Sequence, residues 1–472
     1  MKANQQVFRT LILCLAVSVA ESFAENIPAD ELNRRSIERR AIETIIFGMP
    51  AVNTDLMVQA MLNSTKAKVN EVVYWSRPVD WHNQTLTPNP DAIYFMIFYN
   101  TKDAGPVVID VPSAAGGIFA GNIDTVWQMP LEDVGPFGAD GGKGGKYLIL
   151  PPDYKEQPPQ GYFVLRPDTY TGYALIRSNL QSHSDTDINA AVTYGKRLKV
   201  YSLSQAANPP ETKFTDAKDV VYDSTIPYDI RFFQSLNRVI QTDPWLTRDK
   251  VMIDQLKSIG IEKGKPFNPD AKTTEVLNTA ATEAKEFLEQ MYEAGFPPFF
   301  PDARWASPPW AELVKAGSSG YAETDIYPVD ARALTYSIGY VGIKRLGTAQ
   351  FYLIEGKDKE GNAFEGNKTY RLAVPPNAPT KQYWSATVYD RATHALIKNL
   401  NRASRASNDT ELQKNADGSV EIYFASSTPA GKESNWVPTD PKGEFEVLFR
   451  VYGPEKAFFD KQWKLPDIEE VK

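Results

Sequence analysis

The sequence divides into two blocks of short, strand-like runs separated by a helical block, and this division constrains the fold more than any other feature. The runs are rich in β-branched and aromatic residues and are bounded by Pro, Gly and Asp, which is typical of strands joined by turns. They occupy residues 93–99, 107–111, 146–150, 162–166 and 173–177 in the first block, and 348–354, 370–374, 384–389, 420–424 and 445–452 in the second. The pattern predicts an α+β, mainly β, fold with two antiparallel β-sandwich or jelly-roll-like domains.

Apolar residues recur at helical spacing through most of residues 187–295, so we expect the two β domains to be joined through a helical middle segment. Its clearest helix is predicted to begin at Asp270 or Thr273 and to end at Gly295. A leading helix precedes the first β domain, and Gly48 and Pro50 are expected to break it into two. The predicted organisation is a signal peptide over 1–24, an N-terminal β domain with leading helices over 25–185, a helical and proline-rich connecting region over 186–318, and a C-terminal β domain over 319–472.

The N-terminus has the pattern of a secretory signal peptide. Lys2 and Arg9 precede an apolar run over 11–20, and a small-x-small cleavage site ends at Ala24. The run is too short for a membrane-spanning helix, which needs about 20 residues, so we expect no permanent membrane anchor; a lipid anchor on Cys14 is the alternative. Cleavage would leave a cysteine-free mature chain without disulfides, and its predicted location is periplasmic or secreted.

Composition and motifs exclude several classes of function. The net charge of −8 and the lack of a long basic run make nucleic acid an unexpected partner. The histidines that follow the signal peptide, His82, His183 and His394, are not spaced as a metal-binding pair, so we expect no metal site and no cofactor. Neither a nucleophile elbow nor a phosphate-binding loop occurs, and the catalytic residues, if any, stay unknown.

Polar and aromatic residues cluster at two places. The candidate ligand-binding residues are Asn89, Asp91, Tyr94, Asp124, Trp127 and Arg177 in the first block and Trp384, Asp390 and Trp436 in the second. In the functional interpretation the first group lines one pocket, where Arg177 binds an anion or a hydroxyl group. In the alternative, Asn89 and Asp91 form a turn that starts a strand, and the rings are core residues whose polar ends are hydrogen-bonded.

These clusters also carry a resemblance. Residues 88–94, 108–112 and 122–124 resemble domain of unknown function 1254, and residues 384–390, 417–422, 435–438 and 450–454 resemble domain of unknown function 1214. The resemblance covers most of the chain after the signal peptide and implies an exported bacterial protein with two β domains joined through helices. It implies no agreed catalytic residues, and a shared fold does not settle function.

Three functions remain open at this point. The leading one is binding of an extracellular glycan or a small polar ligand by the Asn, Asp, Tyr and Trp clusters. The second is a carboxylate-dependent hydrolase or lyase in which Asp91 and Asp124 act as acid and base. The third is a structural or assembly protein, and a homo-oligomer is compatible with each of them. Whether the chain is an enzyme is left open.

Overall fold

The computed structural model of the chain describes residues 27–339, 341–347 and 349–472. The predicted signal peptide, residues 1–24, lies outside the described residues. Helices make up 28% and strands 25% of the structure, arranged in several sheets with a helical middle segment. The predicted α+β class is therefore confirmed.

The helices concentrate in the middle of the chain, and one long helix begins the described part. They are α1 (Ala29–Ser64), α2 (Thr101–Ala104), α3 (Asp185–Gly195), α4 (Ile230–Thr242), α5 (Met252–Ser258), α6 (Ala271–Ala294), α7 (Ala311–Ser318), α8 (Val329–Ser337) and α9 (Lys456–Phe459). As predicted, α6 begins after Asp270, whose carboxylate accepts a hydrogen bond from the Thr273 amide at 2.7 Å, and it ends at Gly295.

The first half of the chain forms a six-stranded and a four-stranded sheet. Its strands are β1 (Val72–Tyr74), β2 (Asn83–Gln84), β3 (Ala92–Asn100), β4 (Val107–Val111), β5 (Phe119–Thr125), β6 (Pro130–Val134), β7 (Gly145–Ile149), β8 (Phe163–Leu165), β9 (Thr171–Asn179), β10 (Lys199–Ser202), β11 (Phe214–Asp216) and β12 (Tyr222–Asp223). The six-stranded order is β11-β1-β3-β9-β5-β6, the four-stranded order is β10-β4-β7-β8, and β12 pairs with β2. The pairs are antiparallel except β1 with β11, β7 with β8 and β2 with β12.

The second half forms another pair of sheets. Its strands are β13 (Gln350–Glu355), β14 (Phe364–Glu365), β15 (Tyr370–Val374), β16 (Thr380–Asp390), β17 (Ser404–Ala406), β18 (Val420–Ala425), β19 (Trp436–Pro438), β20 (Glu444–Pro454) and β21 (Glu469–Glu470). One sheet has the order β13-β20-β16-β17 with β14 also on β20, and the other has the order β19-β18-β15-β21. Only β18 and β19 pair in parallel among these described strands.

Side-chain alternation along β3 shows where the first core lies. Ile93, Phe95 and Ile97 belong to the apolar cluster shared with β4 and β7 of the four-stranded sheet. Tyr94 and Met96 point to the opposite face and belong to the cluster that includes α1, α4 and α6. Because successive strand residues face opposite sides, the six-stranded sheet separates a core between sheets from a core of helices.

Strand β20 alternates in the same way in the second half. Phe449 and Val451 pack in the core with residues of β15 and β18, whereas Leu448 belongs to the helix-side cluster of the first half. Arg450 and Tyr452 lie on that same outer face of β20, because they are an even number of residues from Leu448. The functional site is built where this face meets the helix side of the six-stranded sheet.

The prediction that Gly48 and Pro50 break the first helix is wrong, because α1 runs unbroken from residue 29 to 64. Every residue from Thr44 to Asp55 is buried, and α1 packs against α4, α6 and α8. A Cβ atom at Gly48 would come within 2.8 Å of Leu236, so glycine allows α4 to approach closely. The burial of α1 on all sides stabilises the helix and offsets the cost of the hydrogen bond that Pro50 removes.

Helix α1 is also long and apolar enough to cross a membrane. In the fold, however, 78% of its most apolar window is buried against other elements. A helix that is hydrophobic on all sides and covered by its own chain has the pattern of a core helix.

Candidate functional site

The turn over residues 87–91 joins the two halves of the molecule. Asn89 Nδ2 donates hydrogen bonds to the hydroxyl oxygens of Tyr383 at 3.1 Å and Tyr452 at 3.0 Å, both in the second half. Tyr383 donates to the Asp91 carbonyl at 3.2 Å, and Tyr389 donates to the Pro88 carbonyl at 2.6 Å. The turn is therefore held by the outer face of β16 and β20 as well as by its own strand.

Arg177 projects from β9 beneath this turn, on the helix side of the sheet. Its side chain is almost fully enclosed, with the residue 5% exposed. Nε donates to the Tyr94 hydroxyl at 3.2 Å, and the guanidinium lies 5.4 Å from the Tyr94 ring centre. Nη1 has no hydrogen-bond partner among the residues that the structure describes. A buried cation in this state is costly unless a counter-charge is supplied.

Arg450 approaches the same place from β20 and is 1% exposed. Its Nη1 donates to Thr387 Oγ1 at 3.0 Å and its Nη2 donates to the Thr87 carbonyl at 2.9 Å. The guanidinium also lies 5.1 Å from the Tyr352 ring and 5.5 Å from the Tyr389 ring. Nε is unpartnered within the described part of the chain, and no described carboxylate forms an ion pair with either arginine.

The two arginines line a common cavity between the halves of the molecule. It consists of a chamber of about 40 Å³ and an adjoining one of about 30 Å³, which share Thr87, Tyr94, Arg177, Gly339 and Val341 in their linings. The larger chamber adds Arg450, Gln350 and Tyr352 to an apolar wall of Pro308, Ile338, Ile343, Ile354 and Leu448. The cavity is thus cationic at one side and apolar at the other.

Larger grooves occur elsewhere but have a different character. An open groove of about 1330 Å³ beside Lys196 and Lys199 is solvent-exposed, and another of about 360 Å³ lies beside Asp55 and Asp243. None of the described residues that line them has a buried polar side-chain atom without a partner. Unsatisfied buried groups indicate a missing ligand better than volume does, so the cavity between the halves is the stronger candidate.

Comparison with known families identifies the two halves. A model described as "Protein of unknown function (DUF1254)" matches residues 69–202, and one described as "Protein of unknown function (DUF1214)" matches residues 349–456. The chain belongs to the family that pairs these two domains. The candidate cavity therefore lies between a DUF1254 domain and a DUF1214 domain.

One solved structure with a similar fold covers most of the chain. The VPA0106 protein from Vibrio parahaemolyticus is similar over 92% of this chain and 100% of its own, with a TM-score of 0.57 and 20% identity. An uncharacterized protein from Burkholderia cenocepacia aligns over 93% of this chain and 96% of its own, with a TM-score of 0.43 and 10% identity. No curated protein matches the chain. The likeness to the Vibrio protein concerns the fold alone.

Four of the nine residues predicted to bind ligand come together at the domain boundary. They are Asn89, Asp91, Tyr94 and Arg177. The Tyr94 hydroxyl oxygen accepts a hydrogen bond from the Asn89 backbone amide at 2.8 Å. Asn89 Oδ1 accepts from the Asp91 amide at 3.1 Å, as the turn interpretation predicts. Asn89 and Asp91 thus form a turn, and that turn is part of the contact between the domains.

Asp124 and Trp127 lie on the same side of the DUF1254 domain but deeper. Trp127 packs on Phe47 of α1, with ring centres 4.9 Å apart, as a core residue. Asp124 is fully buried, and neither of its oxygens has a partner among the described residues. Burial, reinforced by the Asp133 carboxylate and opposed by the Arg177 guanidinium, raises the pKa of Asp124 well above its ordinary value.

The three candidates in the DUF1214 domain do not meet. Trp384 stacks on Phe449 in the core, with ring centres 5.4 Å apart. Asp390 accepts from the amides of Ala392 and Thr393 in the turn after β16. Trp436 donates from Nε1 to the Ala425 carbonyl at 2.8 Å. Each has a local structural contact, and none of them lines the cavity described above.

A separate ionic cluster joins the domains beside the turn, and we call it the His183 cluster: His183, Asp91, Ser404, Arg405 and Asp409. His183 Nδ1 lies 2.6 Å from Asp409 Oδ1, and Nε2 lies 3.3 Å from Asp91 Oδ1. Ser404 donates to Asp91 Oδ1 at 2.7 Å, and Arg405 lies 3.5 Å from Asp409. Burial lowers the pKa of His183, but the two carboxylates outweigh it and raise the pKa to about 10. His183 is therefore an imidazolium at neutral pH and not a base.

Sequence reasoning did not select Arg450, Gln350 or Tyr352 as site residues. One signal was present for Arg450, which interrupts the apolar run of β20. A charged residue within a buried strand needs a partner, so it indicates a polar contact on that face. Gln350 and Tyr352 carried no such signal, because polar residues are common at strand ends.

Proposed function

We propose that the protein binds a small organic anion in the cavity between the DUF1254 and DUF1214 domains. The observation that carries this proposal is the Arg177 guanidinium, 5% exposed and with Nη1 unpartnered among the described residues. Arg450 supports it, because a second buried guanidinium faces the same space without a carboxylate. An anion between the two guanidinium groups supplies the missing negative charge and accepts hydrogen bonds from their free N–H groups.

The size and lining of the cavity favour a small ligand over a glycan. Its chambers of about 40 and 30 Å³ are smaller than the roughly 150 Å³ cavity that holds benzene in another protein. Trp127 and Trp384, which would be needed as sugar-stacking surfaces, are buried in the cores. The further proposal that binding takes place in the periplasm or outside the cell rests on the N-terminal signal pattern alone.

A thermal-shift screen tests the proposal directly. The full chain is heated with acetate, propionate, phosphate and sulfate at matched ionic strength, and we expect the carboxylates to raise the melting temperature. A ligand present at a hundred times its Kd stabilises the folded state by about 2.7 kcal/mol. The absence of any anion-specific shift up to about 100 mM would refute the proposal, because a site weaker than that has no binding role.

Arg177→Met locates the site. We expect this variant to lose the carboxylate response while its ligand-free stability stays within about 1 kcal/mol of wild type or rises, because methionine removes a buried unpaired charge. Arg166→Met is the matched control, since Arg166 lies on the surface of the same domain. If Arg177→Met responds to carboxylates as the control does, the anion binds elsewhere and the proposal is wrong.

A further inference from the structure

A third buried polar atom without a partner lines the same cavity. Gln350, at the start of β13, is 3% exposed, and its Oε1 accepts no hydrogen bond from the residues that the structure describes. Gln350 lies opposite Tyr452 in the ladder between β13 and β20, on the side that faces the DUF1254 domain. Among the described residues, the cavity therefore offers two unpartnered cationic donors, Arg177 Nη1 and Arg450 Nε, and one neutral acceptor, Gln350 Oε1. The Ser224 hydroxyl, in the wall of the smaller chamber, is also without a partner there.

A simple carboxylate would leave this acceptor unsatisfied. Its oxygens accept hydrogen bonds from the two arginines, but it has no hydrogen to donate to Gln350. An unpaired buried acceptor keeps its desolvation cost, so a ligand with a donor at that point binds more tightly than one without. A hydroxyl group is the smallest neutral donor that a short carbon chain can carry.

The apolar wall of the cavity determines which chemical group the rest of the ligand carries. The larger chamber is lined by five residues whose side chains are hydrocarbon: Ile338, Val341, Ile343, Ile354 and Leu448. An inorganic oxyanion would place polar oxygens against that wall, whereas a methyl or methylene group packs there favourably. The volume of the chambers limits the ligand to fewer heavy atoms than benzene has. If the site relaxes, a ligand with as many heavy atoms as benzene also fits.

From this arrangement we infer that the ligand is a short-chain hydroxycarboxylate of the size of glycolate or lactate. The inference rests on the proposed function, since it concerns the identity of the anion in that same site. The carboxylate lies between Arg177 and Arg450, the hydroxyl donates to Gln350, and the carbon chain contacts the apolar wall.

Isothermal titration calorimetry on the full chain tests the inference with three probes of similar size: lactate, propionate and 2-fluoropropionate. Fluorine has nearly the size of a hydroxyl group but cannot donate a hydrogen bond. We expect lactate to bind at least about tenfold more tightly than both analogues, the preference that one added hydrogen bond provides. Equal affinities for lactate and 2-fluoropropionate would overturn the inference while leaving the proposed anion site intact.

Gln350→Leu connects the preference to its residue, because leucine keeps the side-chain volume and removes the acceptor. We expect its affinity for propionate to stay within about threefold of wild type and its preference for lactate to disappear. Gln413→Leu, on the surface of the same domain, is the control and should keep the preference. A lactate preference that persists in Gln350→Leu would overturn the inference, and binding of none of the three probes by wild type would refute the proposed function itself.

Discussion

Deprotonation of His183 should weaken the contact between the two domains, because this imidazolium lies between two carboxylates that belong to different domains. Its pKa is raised from 6.5 to about 10 in the folded protein. For a base whose pKa is raised by folding, the contribution to stability is complete below the unfolded pKa and is lost as the pH rises to the folded value. The window therefore runs from about pH 6.5 to about pH 10.

The size of the effect follows from the same shift. Each pKa unit corresponds to about 1.4 kcal/mol, so the ceiling is about 5 kcal/mol. The His183 side chain is 24% exposed, and salt and solvent screen the pairs that it forms with Asp91 and Asp409. We therefore expect His183→Gln to lower the free energy of unfolding by about 2–4 kcal/mol at pH 6 and by close to zero at pH 10.

Denaturant unfolding of wild type and His183→Gln at half-unit pH steps measures this difference. Subtracting the two free energies of unfolding at each pH removes the contribution of the titrating groups that both proteins share. Gln382→Ala is the matched control. It removes the interdomain hydrogen bond from Asn179 to Gln382, 2.8 Å long, without removing a titrating group, so its cost should be the same at every pH. If the cost of His183→Gln is also independent of pH, then His183 is not charged in the folded protein and the reasoning fails.

Two further substitutions test the domain boundary and the buried acid. Asn89→Ala removes the hydrogen bonds to Tyr383 and Tyr452 and should lower the free energy of unfolding by about 2–3 kcal/mol; a loss below about 0.5 kcal/mol in denaturant unfolding would show that the turn does not hold the domains. Asp124→Asn should be more stable than wild type by a margin that grows as the pH rises above about 4, because the raised pKa of Asp124 makes the wild-type fold costly once the unfolded carboxyl ionises. A margin that does not change with pH, measured in the same way, would indicate that Asp124 is ionised in the fold.

Much of the local structure could be predicted from the sequence. The ends of α6 follow from a capping aspartate and a terminal glycine, and both act within a few residues of the helix ends. Most of the longer strands of both domains coincide with the runs of β-branched and aromatic residues, since period and turn chemistry are local properties, but β5 was not predicted. Some of the motifs that resemble the two domains of unknown function lie in these runs and others in the turns beside them, and the family assignment is confirmed.

The candidate site was only partly predictable. Arg177 could be selected because it is a charged residue in an apolar strand. Asn89 could be selected because it lies between two prolines, and both signals are visible in the sequence alone. Their partners Arg450 and Gln350 lie in another domain, and no local pattern specifies which face of β20 meets which face of β9. The predicted pairing of Asp91 with Asp124 shows the same limit, since no contact between them occurs among the described residues.

The sequence by itself determined most of the longer strands, the ends of α6, the presence of a helical middle segment and the family, because hydrophobic period, capping and turn chemistry act between neighbours in the chain. Only the tertiary structure decided that α1 continues through Pro50, that the turn at Asn89 docks on the DUF1214 domain, and that Arg177, Arg450 and Gln350 share one cavity. These outcomes depend on packing between distant segments, where burial changes the cost of a missing helix hydrogen bond or an unpaired charge. The same burial leaves Arg177 Nη1, Arg450 Nε and Gln350 Oε1 without partners among the described residues.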